Sequence, residues 1–407
     1  MNFVSIEEPL EKVNSRKIVL FSYGFRPFFL GAGLYAIISM IPWFSFLFQE
    51  NSIFKTILTV SEQPTIWHSH EMLFGIVAAA IAGFLLTAVP NWTGCKPQRG
   101  APLVLLFVFW LLGRIGFWTM NELPSLYHID LLFLPLVIII KAPPLIKAGK
   151  LRNMAFLLIL MALFACNSVV HYGLFKNNYE LARTGMNIAI YIIIVLIAII
   201  GGRVIPGFTK NTLRRDGISE NVRSFPLLDK IIILGVLVVG TSEIIFGLNK
   251  FIGLLALIVG TLHFIRLYFW QGWKTFYDPI LWILHVGYIW LPIGFLLKGL
   301  SSFGLVDYNI ATHCFTSGLM ALMILAIMTR ASLGHTGREL KVSKLTAISY
   351  LCVLSAAIFR TAIPALGLLD YMLSIKMAGI LWISGFIFFT IIYAPILLFP
   401  RADGREG

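Results

Sequence analysis

Eight histidines, His68, His70, His128, His171, His263, His285, His313 and His335, are spread through this 407-residue chain, nearly all in or beside long apolar stretches. A titratable ring is costly in a lipid-spanning segment and marks a candidate functional residue. Neutral imidazole is also the commonest protein ligand for a metal. So many ring nitrogens among apolar neighbours point to a bound metal ion or haem.

The densest group is Trp67-His68-Ser69-His70-Glu71. Residues two apart on a helix point about 200° apart, so His68 and His70 cannot share one ion unless the first turn is irregular. Otherwise they serve different sites. His68 and Glu71, three apart, share a face. The plainer account of the group is a polar helix start with an interfacial tryptophan. Further along, His263 faces the same way as Arg266, and His285 shares its face with Tyr288. One histidine from each of two neighbouring helices is the arrangement of bis-histidine haem ligation, with Arg203, Arg266 or Arg330 pairing with the propionates. The competing account is a buried histidine bonded to a carbonyl of the next helix.

His313 is followed by Cys314, and the same stretch carries Met320, Met323 and Met328. Imidazole beside soft sulfur suits copper, although methionine at helical spacing more often fills a core. His335 closes its stretch beside Gly334, which can serve as a left-handed cap, and a cation there suits the helix dipole. That structural account places His335 behind the other metal candidates. His128 and His171 read as interfacial polar residues. Arg114, about two turns into its apolar stretch, is too deep to be simply reaching for water. It is expected to pair with Glu243 or with a cofactor carboxylate.

The elements that must position these residues are membrane helices. The chain is 58% hydrophobic and only 13% charged, with a mean hydropathy of +0.86, whereas soluble domains run near 45–50% apolar and about 25% charged. A dozen apolar stretches each approach the ~20 residues a helix needs to cross a bilayer. They lie at 27–48, 68–90, 101–120, 127–146, 153–174, 183–205, 226–247, 251–270, 279–298, 308–330, 344–365 and 371–399. Nothing alternates as the strands of a β-barrel would. The fold class is therefore all-α, a polytopic membrane bundle of about twelve helices.

With both termini cytoplasmic, about three-quarters of the Lys and Arg residues fall in cytoplasmic loops, as the positive-inside rule requires. The net charge of +13 then reports orientation and attraction to anionic lipid. No basic face is left for nucleic acid. The first twenty residues contain Glu7, Glu8 and Glu11 and lack an apolar core, so a cleavable signal peptide is not expected. Cys95, Cys166, Cys314 and Cys352 form no CxxC pair. The expectation is one membrane domain over 1–407, with a short cytoplasmic segment 1–21, a cytoplasmic connector at about 206–225 and no nucleotide-binding fold.

Several segments carry a family resemblance. They are Ser22-Tyr23-Gly24-Phe25-Arg26-Pro27-Phe28-Phe29, the run from Trp67 to Gly75, Ala82-Gly83-Phe84-Leu85-Leu86-Thr87-Ala88-Val89-Pro90-Asn91-Trp92-Thr93-Gly94 and Gly201-Gly202-Arg203-Val204-Ile205-Pro206. The stretches around His263 and His285 and the run from Met328 to Arg338 complete the set. In this combination the chain resembles the NnrS family, haem- and copper-containing membrane proteins associated with nitric oxide metabolism and resistance. The resemblance implies haem b and copper, nitric oxide as ligand, and the bacterial cytoplasmic membrane as location. Arg26, Arg114, Arg203, Arg266 and Arg330 are the basic candidates for holding a cofactor beside His70, His263 and His285. The metal candidates are His68, His70, Glu71, His263, His285, His313 and His335.

Two mechanistic classes follow. In one, a redox enzyme binds nitric oxide at a histidine-held metal centre, with electrons from quinol or a cytochrome. In the other, a haem or copper transporter or a sensor uses the histidines as transient ligands. The likeness to haem-copper oxidases and nitric oxide reductases is one of analogy: those have a His-x-His pair on the tenth span and a His-His pair on the seventh. This chain has His313 alone on its tenth and none on its seventh. Inverted repeats would favour transport, and no convincing repeat is visible.

Overall fold

The computed structural model of the protein describes residues 18–48, 63–120, 123 and 125–405. Glu7, Glu8, Glu11, Lys12, Arg16 and Lys17 lie outside the described residues. The described chain is a bundle of long helices without a strand. Eleven are long and apolar enough to cross a membrane: α1 (Phe25–Leu47), α2 (Pro64–Thr93), α3 (Ala101–Trp118), α4 (Leu126–Lys147), α5 (Asn153–Phe175), α6 (Tyr179–Arg215), α8 (Lys250–Phe269), α9 (Pro279–Ser301), α10 (Tyr308–His335), α11 (Lys344–Ala365) and α12 (Tyr371–Leu398). A twelfth, α7 (Pro226–Phe246), has the length but carries Asp229, Lys230 and Glu243. This is a multi-pass membrane protein, and its exposed face is apolar: Leu227, Leu234, Ile245, Phe251 and Ile258 all point outward, as side chains facing hydrocarbon do.

Local chemistry sets the helix ends. Proline opens α2, α7 and α9 within the first two positions, where its missing N–H costs nothing. The side chains of Asn178, Asn249, Asp307 and Asp370 accept backbone N–H bonds at the starts of α6, α8, α10 and α12. Gly94 closes α2 in the left-handed region.

Some boundaries differ from the sequence expectation. Helix α6 runs on through Pro206 to Arg215, so much of the expected connector 206–225 is helical. The Asn178 cap and the length of α6 let its end reach the start of α9, where Thr209 meets His285. Gly334 lies inside α10, and the left-handed residue is Gly337, so the cap expected at Gly334 sits three residues later.

Two helices are not regular. In α2 a π-helical segment, Glu71–Val77, follows the first α-helical turns, and in α10 another, Cys314–Met320, follows His313. Such widened turns occur frequently at functional sites. Both fall directly after the histidines of interest.

Candidate functional site

The first constellation is assembled around the start of α2. Gly113 and Gly116 on α3 let the first turn of α4 come into backbone contact. A Cβ at Gly113 would lie 2.8 Å from Asp130 Oδ1, and one at Gly116 would lie 2.7 Å from the Leu126 carbonyl. That close approach delivers the Asp130 carboxylate to the Arg114 guanidinium. On the other side, Arg114 Nη1 donates to Glu71 Oε1 at 2.6 Å. Gly75, one turn above Glu71, leaves the room: a Cβ there would stand 2.8 Å from both Arg114 Nη1 and the Tyr35 ring. Tyr35 donates its hydroxyl to Glu71 and accepts from Trp118 Nε1 at 2.9 Å.

His70 completes this cluster. Its Nδ1 lies 2.8 Å from Glu71 Oε1 and its Nε2 3.0 Å from Asn167 Oδ1. Asn167 donates its amide to Asp130 Oδ2 at 2.7 Å, so the oxygen it turns to His70 is an acceptor. Both ring nitrogens of His70 therefore face acceptors, a pattern that a doubly protonated imidazolium satisfies. Two carboxylates, one guanidinium and one imidazolium then sum to zero charge in a site where His70 and Glu71 are fully buried. Buried charges persist only when paired in this way. His171 adds Nε2 at 3.3 Å from Asp130 Oδ2.

His70, Asp130 and His171 each offer one ligand atom within 4.8 Å of the others. A monovalent cation such as cuprous copper can take the place of the His70 proton with the charge sum preserved, whereas a divalent ion adds one positive charge. Imidazole is a donor shared by copper, zinc, iron and nickel, and His171 Nδ1 is buried without a hydrogen-bond partner.

His68 takes the opposite direction. Its ring stacks on Trp43, centroids 4.1 Å apart, and with His313 it lines a cavity of about 440 Å³. Cofactor and ligand pockets commonly run ~300–1,000 Å³ with apolar walls and a few convergent polar groups. Here Met72, Met320 and Trp382 supply apolar wall, while Arg360, Thr316 and Tyr371 supply polar groups. The Asn309 carbonyl takes a hydrogen bond from His313 Nδ1 at 2.7 Å. That bond fixes the tautomer in which Nε2 carries a lone pair, the arrangement of a ligating histidine. His68 Nδ1 is a buried atom without a partner. The cavity thus fits a haem, with histidines on two helices, apolar faces, and Arg360 for a carboxylate. The regular first turns of α2 leave His68 and His70 facing apart, His68 into the cavity and His70 into the charge cluster.

Near the other end, His263 and His285 have separate surroundings. His263 Nδ1 lies 3.2 Å from the Tyr288 hydroxyl, and its ring is parallel to Phe295 at 6.0 Å. His285 Nε2 lies 2.8 Å from Thr209 Oγ1, which itself donates to the Ile205 carbonyl, so the ring nitrogen is the donor. This leaves His285 Nδ1 unpaired beside Gly272, where a Cβ would come within 2.5 Å. His263 Nε2 is likewise buried and unpaired. The Tyr288 hydroxyl thus lies beside His263, and Gly272 packs against the free nitrogen of His285. Arg266 donates to the Tyr288 hydroxyl and the Ala198 carbonyl and pairs with Asp229 at 2.8 Å. Gly202 gives its guanidinium room.

The remaining candidates have other neighbours. Arg26 donates to the carbonyls of Leu397 and Phe399 at 2.9 Å and so closes the end of α12. Arg330 lies 3.8 Å from the centre of the Phe208 ring and Arg203 6.0 Å from that of Phe156. His335 stacks with Tyr23. Arg114 does not reach Glu243: that carboxylate takes Lys298 Nζ at 2.8 Å and the hydroxyls of Tyr191 and Tyr308. Asp130, Asn167 and Lys298 are not among the residues the sequence singles out, and His171, expected as an interfacial polar residue, is buried beside Asp130. The signal available was Asn167 and His171, four apart and hence on one face of α5.

A family model, NnrS protein, matches residues 19–401. Comparison with curated proteins gives no match.

Proposed function

Because the chain belongs to the NnrS family, a membership that associates it with the response to nitric oxide, we propose that it binds nitric oxide at a haem and copper centre in the bacterial cytoplasmic membrane. The observation that carries this reading is the 440 Å³ cavity into which α2 turns His68 and α10 turns His313. His68 or His313 would hold the haem in the cavity, with Arg360 as the partner for a carboxylate. His70, Asp130 and His171 would hold the copper.

A haem or copper ion bound here supplies the bond to nitric oxide and the electron for its reduction. The chain's residues do the rest. His313 is oriented by the Asn309 carbonyl. Met72, Met320 and Trp382 exclude water from the cavity wall. His70 and Glu71, on the far side of the same helix, hold a proton between Nδ1 and Oε1, and reduction of nitric oxide consumes protons. Quinol or a cytochrome is the electron donor in this reading. His263 and His285, each with one unpaired ring nitrogen, form a second ligand set nearer the opposite end.

A second reading, carriage or sensing of haem or copper without turnover, is favoured by the charge balance at His70: a monovalent ion such as cuprous copper exchanges there for a proton without leaving unpaired charge. The test is to purify the full chain in detergent, measure metal content and reduced-minus-oxidised spectra, and follow nitric oxide consumption with a reductant. Haem with turnover supports the enzyme, haem without turnover supports the second reading, and a chain with neither haem nor metal sinks both.

A further inference from the structure

A second, smaller cavity of about 70 Å³, partly open to the outside, lies between α1, α2, α6 and α10. Its wall is made only of hydrocarbon and thioether side chains, among them Phe29, Ala80, Ile81 and Met328. Val77 and Ile324 belong to this wall and also to the wall of the histidine cavity. The two spaces are therefore neighbours separated by two aliphatic side chains. Val77 ends the π-helical segment of α2, and Ile324 follows that of α10 by one turn.

An apolar void without polar partners stays dry, and such voids take up xenon or benzene when the size allows. About 150 Å³ suffices for benzene, so this space is too small for an aromatic ring. Its lining offers no hydrogen bond to water and no charge to an ion. A small uncharged gas fits both its size and its chemistry. A void left empty also costs stability through lost contacts, and here a larger side chain at Ala80 would fill it.

We propose that this chamber is a docking site for a small uncharged gas molecule passing to or from the histidine cavity. The identity of the gas as nitric oxide rests on the functional reading above; the chamber itself does not. A molecule held there has Val77 and Ile324 between it and the cavity, and rotamer changes of aliphatic side chains open such a gate on fast timescales.

The experiment uses the full chain. Crystals pressurised with xenon locate the gas by anomalous scattering, a measurement independent of haem or copper. Xenon between Ala80 and Met328, lost in Ala80→Phe and in Ile327→Trp, is the expected result. In stopped-flow measurements the same variants should slow nitric oxide association and dissociation together, each about tenfold, with the equilibrium constant unchanged. Absence of xenon, or lipid or detergent in its place, overturns the docking site. Xenon binding with unaltered nitric oxide rates in both variants overturns its place on the route. A wild-type chain that binds xenon but no nitric oxide sustains the gas site and removes the functional reading alone.

Discussion

His68 and His70, two residues apart in the first turns of α2, look into different compartments. The ring of His70 is locked between Glu71 and Asn167, and the ring of His68 lies on Trp43 beside the 440 Å³ cavity. One helical turn thus serves a closed cluster of charges on one side and an open, mostly apolar space on the other.

On the proposed assignment, that division separates the metals. His68→Ala or His313→Ala, whichever removes the ligand, should lose haem absorbance while copper content stays near that of the parent chain. His70→Ala should do the reverse. Metal analysis and reduced-minus-oxidised spectra on the same preparations decide the matter. Full copper retention in His70→Ala refutes the copper assignment, and full haem retention in both cavity variants refutes the haem assignment.

Arg114 holds two buried carboxylates at once. Removing one member of a buried ion pair commonly costs about 3–5 kcal/mol, so Arg114→Ala should lower the thermal unfolding midpoint of the detergent-solubilised protein markedly. Arg114→Lys should recover only part, because a single ammonium cannot reproduce the guanidinium fork. An unchanged melting curve for Arg114→Ala would show that the cluster is not an energetic unit.

The Glu243, Lys298, Tyr191 and Tyr308 group ties α7, α9, α6 and α10 together. Lys298→Met leaves Glu243 with two hydroxyls and no cation. It should destabilise by several kcal/mol, as for other broken buried pairs. Lys298→Met with Glu243→Gln should be milder than the single change, a coupling of ~0.5–3 kcal/mol in a double-mutant cycle. Additive losses would mean that the pair acts independently of its contact.

His285 is held by a hydroxyl on one edge and a glycine on the other. Gly272→Ala places a methyl within 2.5 Å of Nδ1 and should cost about 1–3 kcal/mol by overpacking. Thr209→Val removes the acceptor for Nε2 and should cost ~1–3 kcal/mol for the unpaired group. If His285 ligates a haem, both changes also shift its visible spectrum. His285→Ala should then lose that haem; retention in full removes this residue from the ligand set.

The helices were plain in the sequence because lipid demands about twenty apolar residues at a time, and that demand leaves an unmistakable record. The opposed directions of His68 and His70 were also readable, since they follow from helical pitch alone. The charge cluster was not. Its members Glu71, Arg114, Asp130 and Asn167 come from four helices, and only the glycine-mediated approach of α3 and α4 brings Asp130 to Arg114. No spacing within one helix encodes that meeting. Lys298 ends the apolar stretch 279–298 with no spacing that marks a partner, yet it is 3% exposed and pairs with Glu243 on another helix. The partition between His263 and His285 depended on Thr209, which lay in the stretch read as a loop and is helical.

The widened turns of α2 and α10 carry a consequence for how these sites are indexed. A helix advances about 100° for each residue, and each widened turn follows directly on a candidate ligand. A π-helical turn takes up about one residue more than a regular turn, so Glu71–Val77 covers nearly the rotation of an α-helical stretch one residue shorter. Deleting one residue there would let α2 return to regular pitch with the parts before and after it still in phase, and His68 and His70 would keep their directions. The same deletion in the regular turns of Ala78–Thr93 would rotate everything before it by about 100° and take both rings from their surroundings. The widened turn is therefore the place where α2 tolerates a change of chain length without losing the aim of either histidine.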